Sequence, residues 1–409
     1  MRVLIISQYY DPEPIPKPSE VAEGLCRRGH NVTVIAGLPN YPTGTLYAGY
    51  HIVPWVHEQV REIPVARVFE LPYHGRSAIG RVANYVSFMI SAIVAGIFVA
   101  RPDVIYVWHP PLTVAVAASV IGAFRRVPFV LDVQDIWPEA VISSGAMREG
   151  ILADVMRWLE RFVYRRAQRI LVVTDGAERN LLAKGVPQQK LVVLPNWIFG
   201  EVAIAPTSEA VRRARAELDA DDAFIVTFAG NLGALQDLDT VLEASKRLQG
   251  HPTKVAIRII GDGSERKRLE HVARSKGLEN VRFLGPYPSG RMPAFFAASD
   301  ALLVHLNAGE LNELILPTKT IAYMAAGRPV IAATAGATAQ LIDRSRAGLS
   351  APGGDPTALA AAIAEMAELP DAERMAMGDR GRAVALTEFD RERLIDRLGT
   401  VLAEAARRA

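Results

Sequence analysis

The chain has 409 residues, half of them hydrophobic and 22% charged, and its 46 Lys and Arg against 44 Asp and Glu give a net charge of +2. This length allows two or three domains with sizeable cores, and the composition excludes a disordered chain. The charge balance argues against a nucleic-acid-binding protein, and a single cysteine, Cys26, excludes a disulfide framework and a thiolate metal cluster. Its beginning, MRVLIISQYY, shows no secretory cleavage pattern, so we expect a cytoplasmic protein.

The first half of the chain alternates short apolar strands with helices of ten or more residues. We predict strands over 3–7, 32–36, 104–107, 129–133 and 170–173, and helices over 19–28, 114–124 and 151–167. This alternation is typical of βαβ units, in which helices cover both faces of a parallel sheet.

Between these elements lies Val82–Ala100, a run of nineteen residues without a charge. The run is just long enough to cross a thin hydrocarbon layer, but Asn84 and Ser87 within it argue against a span. Arg76 and Arg81 upstream suit a helix that lies at an interface with anionic lipids. Three interpretations stay open: a buried helix between two parallel strands, an interfacial helix, and a transmembrane span.

The strand and helix pattern restarts after Asn196. We predict strands over 223–229, 255–260, 281–284, 301–305 and 330–333, and helices over 208–218, 238–248, 264–275, 291–298 and 318–326. The fold class is therefore α/β, with two doubly wound domains over 1–198 and 207–387 and a C-terminal helix, 388–409, packing back on the first. Because ligands of such sheets bind at the carboxyl ends of the strands, we sought site residues directly after strands.

Two glycine turns follow the first two strands of the second domain. Glycines there let the backbone approach a phosphate, and the amino end of a following helix carries partial positive charge. The alternative is that these loops only turn the chain. The first turn, with Gly230, Asn231 and Gly233, is predicted to lie near a phosphate. The second, with Gly261, Asp262 and Gly263, is suited to a flat nucleobase held by backbone groups.

Another helix of this domain begins at Pro317-Thr318-Lys319. Thr318 is a good N-cap residue, and Lys319 lies in the first turn, where the helix dipole disfavours a cation. An anion would offset this cost, so we predict Lys319 as a diphosphate partner, against the alternative of a solvated lysine. Glu310 and Glu313, in the preceding loop, either bind sugar hydroxyls or are simply exposed.

In the first domain, polar and aromatic residues follow two strands. His109 lies two residues past one strand and is either a site residue or a loop histidine satisfied by the backbone. Asp132, Asp135, Trp137 and Glu139 come at the end of the next, where carboxylates and a tryptophan can orient sugar hydroxyls or an incoming hydroxyl. The sequence has no zinc-ligand spacing, Walker A sequence or GxSxG elbow, so we expect no metal and no cofactor.

Segments along nearly the whole chain resemble the GT-B glycosyltransferases of family 4, specifically the bacterial branch that builds cell-surface polysaccharides with amino- or deoxysugars. The segments include RPDVIYVWHPP, PFVLDVQDIWPEA, FAGNLGALQDLDTVLEA, IIGDGSER and ILPTKTIAYMAAGRPVIA. This resemblance implies a GT-B fold of two Rossmann-like domains facing across a cleft. It also implies a nucleotide-sugar donor held by the second domain, an acceptor held by the first, and metal-independent retention at the anomeric carbon.

From the resemblance we expect a glycosyltransferase that moves a sugar from a UDP-linked donor to a glycan or polyprenyl-linked acceptor in surface polysaccharide biosynthesis. The expected catalytic residues are His109, Asp135, Glu139 and Lys319. The donor contacts are the glycine turns with Glu310, Glu313, Thr318 and Lys319, and the acceptor contacts are Asp132, Asp135, Trp137 and Glu139. We expect a cytoplasmic protein with possible peripheral contact to the plasma membrane through 82–100, and no nucleic-acid partner.

Two departures from the family pattern leave other functions open. Ala322 stands where the family usually has a Glu that contacts the donor ribose, and Ala234 stands where many relatives have an Arg beside the leaving diphosphate. The alternatives are a non-catalytic homologue that acts as partner of an active transferase, and a sugar-nucleotide epimerase.

Overall fold

A computed structural model describes residues 1–75, 77–139, 142, 150–200, 204–219, 222–309, 312 and 314–407. The chain divides into two compact units. The first comprises Met1–Pro195 with Glu392–Ala409, and the second comprises Asn196–Arg391. These limits fall within a few residues of the predicted ends at 198 and 387.

The first unit is built on an eight-stranded sheet in the order β3-β4-β2-β1-β5-β6-β7-β8. Neighbouring strands are parallel except β3, which runs antiparallel to β4. The chain order reverses between β1 and β5, which defines the crevice where an open α/β sheet binds ligands. The strands are β1 (Arg2–Ile6), β2 (Asn31–Gly37), β3 (Trp55–Val60), β4 (Ile63–Val68), β5 (Val104–His109), β6 (Phe129–Val133), β7 (Arg169–Val172) and β8 (Leu191–Val193).

The antiparallel hairpin of β3 and β4 corrects the prediction of a wholly parallel sheet. Its turn consists of Arg61 and Glu62, whose φ angles are 50° and 68°. Turns of this left-handed kind usually carry Asn and Gly, so the sequence has no turn signal at this point.

The helices of the first unit cover the sheet. They are α1 (Pro16–Arg27), α2 (Ala78–Phe98), α3 (Leu112–Arg125), α4 (Ile151–Arg166), α5 (Asp175–Ala183) and the C-terminal α14 (Arg391–Arg407). Helix α14 is tied to α1, since the Arg28 guanidinium donates to the carboxylates of Glu392 and Asp396 at 3.0 and 2.5 Å. The Ile395 side chain fills the space beside Gly24, so a Cβ on that glycine would lie 2.5 Å from it.

Helix α2 contains the uncharged segment and connects β4 to β5. One face, with Asn84, Phe88 and Ala92, is buried, whereas Ile79 and Phe98 are 84% and 73% exposed. Within the described part of the chain it is the one helix long and apolar enough to cross a membrane, by length and composition alone. Because it packs along α3 and forms the crossover between two strands of one sheet, its position fits a half-buried helix of this unit.

The second unit is a six-stranded, wholly parallel sheet in the order β11-β10-β9-β12-β13-β14, which reverses between β9 and β12. Both units therefore have the doubly wound α/β architecture. The strands are β9 (Phe224–Ala229), β10 (Val255–Ile260), β11 (Val281–Gly285), β12 (Ala301–His305), β13 (Val330–Ala333) and β14 (Gly348–Ala351). The helices are α6 (Ser208–Leu218), α7 (Leu238–Arg247), α8 (Arg266–Ser275), α9 (Met292–Ala298), α10 (Thr318–Ala325), α11 (Gly336–Ser345), α12 (Pro356–Glu368) and α13 (Asp371–Glu388).

Candidate functional site

Three glycine loops interlock at the carboxyl ends of β9, β10 and β11 in the second unit. The Gly230 amide donates to the Ile260 carbonyl and the Gly261 amide to the Gly285 carbonyl, both at 2.9 Å. Gly230 and Gly261 have φ angles of 141° and 139°, which side chains rarely allow. A Cβ on Gly261 would lie 1.9 Å from the Gly230 carbonyl oxygen, so only glycine fits this packing.

Lys319, in the first turn of α10, lies over the end of β9. Its Nζ is 4.0 Å from the centre of the Phe228 ring and would touch a Cβ on Gly230 at 2.6 Å. Helix α10 is held in place by the Tyr323 hydroxyl, which accepts from the Ala229 amide at 2.8 Å and donates to the Ala229 carbonyl at 3.0 Å. The ammonium group of Lys319 therefore faces the Gly230 loop.

Among the described residues, this ammonium group has no balancing charge. No carboxylate among the described residues lies within ion-pair distance of Lys319 Nζ, and the amino end of α10 adds positive potential. Solvent reaches part of the side chain, yet the surrounding protein lowers the pKa of Lys319 to about 7 by desolvation. A cation in this setting, at the amino end of α10, is suited to bind an anion such as a diphosphate.

The other predicted donor residues lie around this point or outside the described structure. Thr318 is exposed, and the prediction that it caps the helix is wrong, because Pro317 occupies the N-cap position. The Asp262 carboxylate accepts from the Gly263 amide at 2.9 Å and lies 3.9 Å from the Arg266 guanidinium. Asn231 is exposed and Gly233 half-buried, and Glu310 and Glu313 lie outside the described residues.

In the first unit, aromatic rings gather where β1, β2 and β5 end. Tyr9 lies 5.1 Å from Tyr41, 5.9 Å from His74 and 6.3 Å from Trp108, measured between ring centres. Trp137, after β6, lies 6.2 Å from Tyr85 of α2. Tyr9 and Trp108 are 6% and 7% exposed and belong to the core, whereas Tyr41, His74, Tyr85 and Trp137 are half-buried. The half-buried rings of this aromatic wall can offer apolar faces to the carbon side of a sugar or to another flat or apolar ligand.

A buried polar network joins the same loops to α2. Gln8 Nε2 donates to Glu70 Oε2 at 2.6 Å and to Asn84 Oδ1 at 2.7 Å, and Asn40 Nδ2 also donates to Glu70. Burial raises the pKa of Glu70 well above its ordinary value. The network fixes the ends of β1 and β2 against the first turns of α2.

His109 is 1% exposed and lies at the end of β5, with its ring 5.8 Å from that of Trp137. Neither ring nitrogen has a hydrogen-bond partner among the described residues. Burial lowers the pKa of His109 to about 3, so the imidazole is neutral at physiological pH. The residue is available as a neutral hydrogen-bonding group.

The carboxylates after β6 lie in three different environments. Asp132 is fully buried and accepts from Lys17 Nζ at 2.9 Å and from Tyr106 at 2.5 Å, an arrangement that does not favour direct contact with an acceptor. Asp135 is exposed, although the surrounding protein raises its pKa by desolvation. Glu139 is paired with Lys184 at 2.9 Å.

Apart from Trp137, the aromatic wall is absent from the sequence-based predictions, although a signal for part of it exists. Tyr9 follows β1 and Tyr41 follows β2 within a few residues, so the rule that selected His109 also selects them. His74 and Tyr85 have no such signal, because one lies in a loop and the other within α2.

Two family models match the chain, one in each unit. Residues 18–197 match the Glycosyl transferase 4-like domain, and residues 223–368 match Glycosyl transferases group 1. A relative in Escherichia coli K12, the colanic acid biosynthesis glycosyl transferase WcaI, is 28% identical over 80% of this chain and 82% of its own. The glycosyltransferase WbjE of Pseudomonas aeruginosa is 28% identical over 66% of this chain and 67% of its own.

Solved glycosyltransferase structures share the fold along nearly the full length. Alr3699/HepE of Anabaena, solved with UDP, has a TM-score of 0.74 at 19% identity. The match covers 99% of this chain and 100% of the HepE chain. The sucrose-phosphate synthase of Thermosynechococcus elongatus has a TM-score of 0.78 at 18% identity, with full coverage of both chains. The chain therefore belongs to the GT-B glycosyltransferases of family 4, with a glycosyl transferase 4-like first half and a group 1 second half.

Proposed function

We propose that this glycosyltransferase moves a sugar from a UDP-linked donor to a hydroxyl of a glycan or polyprenyl-linked acceptor in polysaccharide biosynthesis. The proposal depends chiefly on the Lys319 ammonium beside Gly230, which has no carboxylate partner in the described part of the chain and is suited to a diphosphate. The name of the Escherichia coli relative supports the pathway class, and the UDP complex of HepE supports the base.

In the proposed reaction the donor diphosphate lies on Gly230–Gly233 with Lys319 beside it. The cation and the amino end of α10 stabilise the charge that develops as the glycosidic bond breaks, which needs neither metal nor cofactor. Glu310 or Glu313, together with His109, contacts the donor sugar, and Asp135 orients the acceptor hydroxyl. The leaving phosphate accepts the proton from that hydroxyl, and the configuration at the anomeric carbon is retained.

Nucleotide binding gives the first test of the donor site. Titration of the protein with UDP, GDP, ADP and dTDP by calorimetry, without added metal, should give micromolar binding of one nucleotide, UDP. Binding of a different one would correct the base, and failure of all four would favour the alternative of a non-catalytic partner protein. That alternative is favoured by Ala234 and Ala322, because Ala322 packs against the core and presents no charge to a ligand.

Proton uptake tests the role of Lys319 in that binding. With a pKa of about 7, the amine is mostly neutral at pH 8, and a diphosphate would raise that pKa by favouring the charged form. UDP binding at pH 8 should therefore take up close to one proton per site, and affinity should fall as pH rises above 7.

The uptake is measured by calorimetry in two buffers with different ionisation enthalpies. The matched variant, Lys319→Arg, keeps a positive charge that does not titrate in this range, so it should take up no proton if it binds. UDP binding without proton uptake by the unmodified protein at pH 8 would contradict a diphosphate contact with Lys319.

We also propose a peripheral position at the inner face of the plasma membrane. The exposed apolar face of α2, which includes Ile79, Ile90 and Phe98, supports this placement. Such a helix would lie in the interface and leave the sheet of the first unit in water.

A further inference from the structure

A cavity lies in the first unit, between α4 and the chain that follows α5. Its volume is about 620 Å³. Five cationic side chains line it: Arg157, Arg161, Arg165, Lys184 and Lys190. The carboxylates in the lining are Glu139 and Glu160, so the cavity carries an excess of positive charge.

The cations of this cavity differ in how far they are already engaged. Lys184 lies between Glu139 and Glu160, at 2.9 and 2.7 Å, and is neutralised by them. Lys190 Nζ donates to the Arg165 carbonyl at 2.7 Å, which holds its charge at the carboxyl end of α4.

Two of the arginines are available to a ligand. Arg161 and Arg165 are exposed, and neither has a carboxylate within 4 Å among the residues that the structure describes. They are one helical turn apart on α4, so both guanidinium groups point to the same side. Two such planar groups are well matched to phosphate oxygens.

The same helix carries an exposed apolar stripe next to the cavity. Ile151 is 85% and Trp158 60% exposed, and Val155 between them is also exposed. The Trp158 ring stacks on Phe162, with ring centres 6.0 Å apart. A large exposed aromatic surface of this kind marks a binding or membrane face rather than ordinary protein surface.

We infer that this cavity binds the diphosphate of a lipid-linked acceptor, with the lipid tail along the stripe Ile151, Val155 and Trp158. Lys184 is paired with both carboxylates and Arg157 with Asp154 at 3.0 Å, which leaves the charges of Arg161, Arg165 and Lys190. Three such cations suit a multiply charged diphosphate better than a singly charged phospholipid head. Glu139, four residues after Asp135, connects the cavity to the carboxyl edge of the sheet. The inference rests on the proposed function, because it places part of the acceptor.

The test uses Lys319→Ala protein, so that the nucleotide site contributes little to diphosphate binding. Farnesyl diphosphate, titrated below its micelle concentration, should bind, and the Arg161→Ala/Arg165→Ala pair should weaken it by about tenfold or more. Arg179→Ala, an exposed arginine on α5 outside the cavity, is the matched control and should change nothing. Unfolding temperatures show that each variant is folded.

Two further probes separate the head from the tail. Trp158→Ala should weaken farnesyl diphosphate but leave inorganic pyrophosphate unchanged. Equal binding of farnesyl diphosphate with and without the two arginines would overturn the inference, and so would vesicles of phosphatidylglycerol binding through these arginines while farnesyl diphosphate does not bind. UDP titration of the double arginine variant in an otherwise unmodified chain reports the donor site separately, so failure of the proposed function is recognised independently.

Discussion

Replacing Lys319 by alanine should reduce sugar transfer by about a thousandfold or more, because it removes the positive charge nearest to the leaving diphosphate. The free energy of unfolding should not fall at neutral pH. The folded protein disfavours the charged form of this lysine, whose pKa falls to about 7, so replacing the lysine removes an unfavourable contribution to stability. Turnover with the nucleotide identified by calorimetry, and thermal unfolding of the same samples, measure the two effects.

The sign of the stability effect can be tested with pH. Between pH 7 and the ordinary lysine pKa of about 10.4, the unfolded chain holds a proton that the folded protein has lost. The free energy of unfolding of the unmodified protein should therefore rise with pH across this window, and that of Lys319→Ala should rise less.

A lysine of the same unit provides the control for transfer. Lys246→Ala changes an exposed side chain on α7 and should leave turnover unchanged. Unchanged turnover of Lys319→Ala itself would remove Lys319 from the donor site.

The Gly261→Ala variant should lose nucleotide binding and several kcal/mol of stability, on the order of 3, since overpacking and a disallowed backbone angle act together. The new methyl group would meet the Gly230 carbonyl oxygen at 1.9 Å, which neither loop can avoid without breaking the bond from Gly261 to Gly285. Urea unfolding and UDP titration measure both losses.

Gly277→Ala measures a backbone cost without a clash, in the milder left-handed helical region. Gly277 also has a positive φ, 63°, but a Cβ there would have nothing within 4 Å. The variant should lose about 1 kcal/mol of stability, from the backbone conformation alone, and nucleotide binding should be unchanged. Equal effects of the two variants would show that the close packing of the glycine loops does not matter.

Local rules in the sequence are enough to predict Lys319 and Gly230 as ligand contacts, because a helix begins directly before Lys319 and a strand ends directly before Gly230. Their role in donor binding stays a prediction. The direction of the Lys319 side chain over Phe228 depends on the bond between Tyr323 and Ala229, which joins residues 94 positions apart. No local pattern contains that information.

The environments of the carboxylates in the first unit also depend on contacts that no local sequence pattern contains. Asp132, Asp135 and Glu139 lie within eight positions of one another, which suggested a single cluster. Their environments differ because Lys17, from α1, forms a buried ion pair with Asp132, whereas Lys184, after α5, forms an ion pair with Glu139 in the cavity beside α4. Residues from distant elements therefore determine which of these carboxylates is free to contact a ligand.

The position of α14 bears on how the protein is made. Arg28 and Glu392 are 364 residues apart and yet bonded, with the whole second unit inserted between them. During synthesis the second unit can complete its sheet as soon as it leaves the ribosome, whereas the first must wait with the α1 surface around Gly24 uncovered until the last helix emerges. Closing so long a loop is entropically costly, so the half of the chain translated first is the half that matures last.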